Sequence, residues 1–192
     1  MESTIRQSAT TGNETSPFLM FNPIKGPLRR LILDAIVKEA VANPNYMPLQ
    51  TIGTIHFAGF IFFDAFPDLG QGESPLRNQY LAFYSLFDGT WEAYMEDFAD
   101  LIALDIDMVW CNCMGYPGAQ PIPPFSAYLR HNEVPPEWSF AAYPMANVPD
   151  IGAALDLRSQ FISLMGQVVG TTPEQFDVAY QSFLTSTQQN LG

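Results

Sequence analysis

The order of apolar segments in this 192-residue chain predicts an α+β fold, a mostly antiparallel sheet with helices packed on one face. Three stretches carry that reading. Residues 54–63, TIHFAGFIFF, are apolar on both alternating faces, the pattern of a central, covered strand. Residues 80–87, YLAFYSLF, repeat it. Asp88-Gly89 then leads into Trp91–Leu104, where Trp91, Tyr94, Met95, Phe98, Leu101 and Ile102 recur at helical spacing.

Taken in order, residues 1–16 are rich in Ser, Thr, Gly and Asn and read as a disordered arm. The run Phe18–Phe21 docks the end of that arm on a single domain spanning 17–187. Gly26-Pro27 opens a helix over 27–42, with Leu28, Leu31, Ile32, Ala35, Ile36 and Ala40 as its apolar stripe. Asn43-Pro44 ends it. The connection 64–79 holds Pro67, Gly70, Gly72 and Pro75 and is long for a hairpin.

After the helix 91–104, residues 105–111 alternate as a third strand, and Pro and Gly fill 112–124. A short helix over 125–133 ends at Pro135-Pro136, and 138–143 reads as a fourth strand. Pro149 starts a helix that Gly170 ends. Thr172 and Gln175 have the spacing of a capping box for the last helix. Residues 188–192 are a frayed tail. The resulting sheet is four-stranded and ferredoxin-like, with extra N- and C-terminal helices.

Composition narrows the function. Hydrophobic residues make up 47% of the chain, enough for a core at this length. The formal charge of −12 disfavours nucleic acid and anionic membrane surfaces. Four of the eight cations (Lys25, Arg29, Arg30, Lys38) lie within fourteen positions, whereas residues 88–107 hold seven carboxylates and no cation. No apolar run reaches the length of a membrane span, and the first 16 residues lack the apolar stretch of a signal peptide. These features predict a soluble cytoplasmic protein.

Chemistry-bearing residues are few. His56 sits near the start of the first strand, beside the small Ala58 and Gly59, where it could serve as base or ligand. It is expected to be partly buried and to border a cavity between sheet and helix. The competing reading is a core histidine bonded to backbone. Asp88 is either a catalytic carboxylate at a strand end or a turn and cap residue. Phe60, Tyr84, Tyr128 and His131 are candidate lining for an aromatic pocket, against core or surface roles.

With two histidines and the single pair Cys111-x-Cys113, no metal site is expected. On a strand, those two sulfurs would share one side. The hydrolase elbow, the phosphate-binding loop, the zinc-protease motif and the dinucleotide fingerprint are all absent.

The stretches "TIHFAGFIFFD", "YLAFYSLFDGTWEAYMEDF" and "FSAYLRHNEVPPEWSFAAYP", over about residues 50–145, resemble a poorly characterised bacterial domain of the dimeric α/β-barrel superfamily. In that superfamily ferredoxin-like sheets face each other, and dye-decolorising haem peroxidases are remote members. The resemblance supports the fold and, by analogy only, implies haem chemistry. A sheet apolar on both faces with helices for only one predicts a homodimer formed through the sheet or its flanking aromatics. Where an Arg commonly follows His-Phe-Ala in that domain, this chain has Gly59.

Two functions follow as expectations. One is a binding and assembly module, without cofactor, that forms a homodimer and holds an apolar small molecule in an aromatic pocket. The other is an oxidoreductase, haem-assisted or cofactor-free, acting on an apolar substrate with His56 central.

Overall fold

The computed structural model describes residues 15–43, 46, 48–72 and 74–188. Most of the expected arm (1–14) and tail (189–192) lies outside them. The chain divides at Met145 into two compact units. The first carries β1 (Thr15–Pro23), α1 (Pro27–Ala42), β2 (Ile55–Ala65), β3 (Pro75–Asp88), α2 (Trp91–Leu101), α3 (Ala103–Trp110) and α4 (Ile122–Asn132). The second carries α5 (Val148–Gln167) and α6 (Pro173–Thr187).

The sheet has three strands in the order β1-β3-β2, and β3 is antiparallel to both neighbours. Thus β1 and β2 run parallel, joined through α1 and separated by β3, and α1 is a crossover rather than an extra N-terminal helix. Residues 15–16, assigned above to the arm, begin an edge strand. The strand over 54–63 is an edge as well, although its letters read as central; β3 is the central strand. The connection 64–79 shrinks because β2 runs to Ala65 and β3 starts at Pro75.

The expected four-stranded sheet is not formed, and the reasons are local. Residues 105–111 are mostly helix α3. The buried positions Ile102, Ile106, Val109, Trp110 and Cys113 follow helical spacing, and this burial overrides the short alternation of Asp105 to Trp110. The helix expected over 91–104 breaks at Ile102, where φ is −136°.

Residues 138–143 form no strand. On β1, Thr15 N–H donates to Pro144 O, and Leu19 O and Pro23 O accept from Val134 and Met114. Alternate residues 15, 17, 19, 21 and 23 therefore face the place of a fourth strand. Two of them, Pro17 and Pro23, have no N–H to give it. Among the described residues only isolated bridges remain there, Met20 to Glu133 and, just past the strand, Ile24 to Cys113.

The core lies between one sheet face and α1–α4. Phe83 is its centre, with Phe18 and Phe98 edge-on at 6.2 and 6.1 Å and Trp110 at 5.5 Å. Phe87 stacks on Tyr94 at 3.9 Å, and the Tyr94 hydroxyl donates to Ser85 Oγ at 2.8 Å. Burial pushes the Tyr94 phenol far above its ordinary pKa. In α1 the buried residues are Leu33 and Ile36, whereas Leu28 and Leu31 of the expected stripe are exposed.

In the second unit, α5 and α6 carry capping boxes, Asn147 with Asp150 and, as the spacing predicted, Thr172 with Gln175. Leu164 and Thr187 are buried; Leu155, Phe161, Ile162 and Val178 are exposed. Among the described residues no helix is long and apolar enough to cross a membrane.

Candidate ligand-binding site

The polar chemistry gathers at one end of the second sheet face, and a β-bulge puts it there. Ile55 pairs with Phe87 and Phe57 with Leu86, so His56 is an extra residue. Strict alternation would set His56 with Ala58 and Phe60, toward the helices. The bulge instead lets its ring meet Asp88, which pairs with Thr15 across β1.

His56 Nε2 lies 2.7 Å from Asp88 Oδ1, and Thr15 Oγ1 donates to the same oxygen at 3.4 Å. The two side chains are 10% and 9% exposed. An ionised carboxylate only accepts, so with Asp88 charged the proton of this contact sits on Nε2. That leaves Nδ1 as the nitrogen able to meet a ligand.

The capping role falls to Thr90. Thr90 Oγ1 accepts from Ala93 N–H and caps α2. Gly89, at φ +93°, makes the turn between strand and cap in a conformation that side-chain-bearing residues rarely adopt. The Asp88 backbone N–H bonds Thr54 O at 2.9 Å, tying the strand ends together. Two hydroxyls at this end of the sheet, Ser16 Oγ and Thr54 Oγ1, are buried with no hydrogen-bond partner. Sequence reasoning passed over Thr15, Ser16 and Thr54, because nothing in single hydroxyl residues signals that a register will collect them.

From this end runs the second sheet face: Leu19 and Phe21 of β1, Ala82 and Tyr84 of β3, Phe57, Ile61 and Phe63 of β2. Phe57 is 68% exposed, Ile61 45% and Tyr84 43%. Tyr84 is the cross-strand partner of Gly59, and its ring covers that glycine so closely that a Cβ at 59 would lie 2.6 Å from the hydroxyl oxygen. Gly59 therefore makes room for Tyr84. An Arg at 59 would displace the ring.

The other candidates lie elsewhere. Phe60 faces the core, 5.2 Å from Phe83 and 5.8 Å from Trp110. Tyr128 is buried and donates to Asn22 Oδ1 at 2.8 Å, with its phenol pKa raised by burial. His131 is exposed near the end of α4. Cys111 is exposed at the end of α3, while Cys113 is buried and its thiol pushed up to about 12. The two sulfurs do not share a strand.

The structure brings together His56, Asp88 and Tyr84 on one sheet face and separates them from Phe60, Tyr128 and His131. His56 does not line the small apolar pocket among Phe18, Phe83, Phe98 and Trp110, which holds about 10 Å³, near the limit for one water.

The cation-rich segment is spent on local contacts. Lys25 donates to Cys111 O, Arg29 to Asn112, and Arg30 bonds Asp64 through two nitrogens while lying 3.6 Å over Phe62. Lys38 pairs with Asp34, whose carboxyl is held below its ordinary pKa. On the acidic α2 face, desolvation and then Asp100 raise the Asp97 pKa. Among the described residues no group of three or more His, Cys, Asp or Glu could hold a metal ion. No protein-family model, curated protein or solved structure matches the chain.

Proposed function

We propose that this protein is a cytoplasmic binding and assembly module, homodimeric, whose second sheet face takes an apolar small molecule. The observation that carries this reading is a face of Phe57, Ile61 and Tyr84, left exposed, with one polar device at its end, the His56–Asp88 pair. An apolar ligand would lie along the strands, and a polar group on it would reach His56 Nδ1. The parallel pair β1 and β2 split by β3 is the connectivity of a ferredoxin-like half-sheet and supports the proposed kinship with dimeric α/β barrels.

Titration with Nile red tests it. Binding is expected in the micromolar range, weakened at least tenfold by Tyr84→Ala and less by His56→Phe. Equal affinity in both variants and the parent protein overturns the reading.

A second reading, an oxidoreductase acting on an apolar substrate, is favoured by the carboxylate-oriented imidazole, an arrangement suited to moving a proton. Haem fits this chain poorly. Nε2 is committed to Asp88, and the apolar pocket among Phe18, Phe83, Phe98 and Trp110 is only water-sized. Addition of haemin gives the deciding spectrum: a Soret shift that needs His56 supports the haem branch, and an unshifted band removes it.

A further inference from the structure

The two edges of the sheet are treated differently. The β1 edge is guarded: it carries Pro17 and Pro23, and residues 114, 133, 134 and 144 bridge or bond it. At the start of β2 the Ile55 N–H donates to Ile52 O, but among the described residues none hydrogen-bonds the backbone of residues 57–63 on the side away from β3. Between its two irregularities, at 55/57 and 63/65, β2 runs clean from Phe57 to Phe63, in register with Leu86 to Tyr80. Those seven residues, FAGFIFF, hold no charge and no proline. Natural sheet edges are commonly protected by such residues or by a covering segment, because a bare edge is a template for another strand. A stretch composed like a central strand stands at an edge.

We propose that β2 pairs antiparallel with β2 of a second copy, about a two-fold axis through Phe60, making one continuous six-stranded sheet. The inference rests on the open edge and not on the ligand proposed above. Two features select a second copy as the occupant. The clean span is centred on Phe60, so a two-fold sets Phe57 opposite the copy's Phe63 and Ile61 opposite its Gly59. That pairing is isologous and closes on itself. The uncharged span brings no repulsion, although the whole chain carries −12.

Asp64, half exposed and paired with Arg30, follows one end of the span, and His56, paired with Asp88, precedes the other, so the two-fold brings each Asp64 end to a His56 end with these side chains already held by partners of their own subunit. An axis perpendicular to the sheet keeps both sets of core helices on one side and joins the two exposed faces into one.

Sedimentation of the full chain from 1 to 200 μM, with hydrogen exchange followed by NMR at both ends of that range, tests the proposal. A species of twice the 21.4 kDa chain mass is expected at high concentration. The alternate β2 amides that point away from β3 should be protected there at least tenfold over the dilute sample. Ile61→Lys places like charges across the axis and should weaken the dimer at least tenfold, while the dilute protein melts as the parent does. If that variant does not fold, Phe57→Lys, at a more exposed position, replaces it. A monomer throughout overturns the proposal. So does a dimer whose outward β2 amides exchange at the monomer's rate, since it would be built on another surface. Loss of Nile red binding in a protein that still dimerises this way would count against the ligand reading alone.

Discussion

The two faces of the sheet are built from the same residue types and meet different surroundings. On one face Phe18, Phe83 and Phe87 are 1–2% exposed beneath α2–α4. On the other Phe57, Ile61 and Tyr84 keep 43–68% of their surface in contact with solvent. Tyr94 and Tyr84 divide this way too. Tyr94, from α2, meets the covered face and engages Ser85, whereas Tyr84 on the open face lies over Gly59. The difference teaches that apolar letters specify a strand without specifying a cover. The covered face holds the first unit together.

The largest effect that would sharpen this contrast is Phe83→Ala. Removing a ring that four others surround should cost about 3–5 kcal/mol in urea denaturation, against about 0.5 kcal/mol for Ile61→Ala in dilute protein. Comparable losses at both positions would mean the open face is covered in solution.

Next come the hydroxyls. Tyr94→Phe leaves Ser85 buried without its partner and should cost about 1–2 kcal/mol. Tyr84→Phe should cost nothing measurable by the same method.

Gly59→Ala should be smaller still, about 1 kcal/mol, because the blocking atoms belong to an exposed tyrosine ring that can move aside. In a Tyr84→Ala background the cost should vanish. A cost that persists there would locate the constraint in the backbone of β2 instead.

The smallest effect concerns Asp97 on α2. Its folded pKa lies above its ordinary 3.8, mainly through desolvation, so the folded state binds more protons than the unfolded state. Its ionisation therefore penalises folding as pH rises through 3.8 and up to the folded value. Asp97→Asn should stabilise slightly at pH 7, and that gain should shrink to nothing below pH 3.8. A gain independent of pH would assign the effect to packing.

Several elements were legible in the letters. The runs 54–63 and 80–87 are strands, the capping box Thr172–Gln175 starts α6, and the apolar spacing from Trp91 onward is a helix. Pro17 and Pro23 could have marked β1 as an edge, since both fall on edge-facing positions, but a polar arm running into a short apolar stretch masked it. The segment 105–111 was ambiguous because a few alternating residues fit period 2 and period 3.6 alike. Of the candidate site, His56 and Asp88 were visible as isolated residues 32 positions apart. Nothing in their spacing shows that a bulge joins them.

What the sequence by itself determined is local: where apolar runs begin and end, which residues cap and which break, and that the chain holds enough apolar surface to bury a core. Neighbouring residues set those properties through backbone sterics and side-chain periodicity. Only the tertiary structure decided that β3 rather than β2 is central, that His56 crosses to the second face to meet Asp88, and that Tyr84 occupies the space above Gly59. Each depends on register between strands distant in sequence, and a one-residue shift in register exchanges the two faces of a strand.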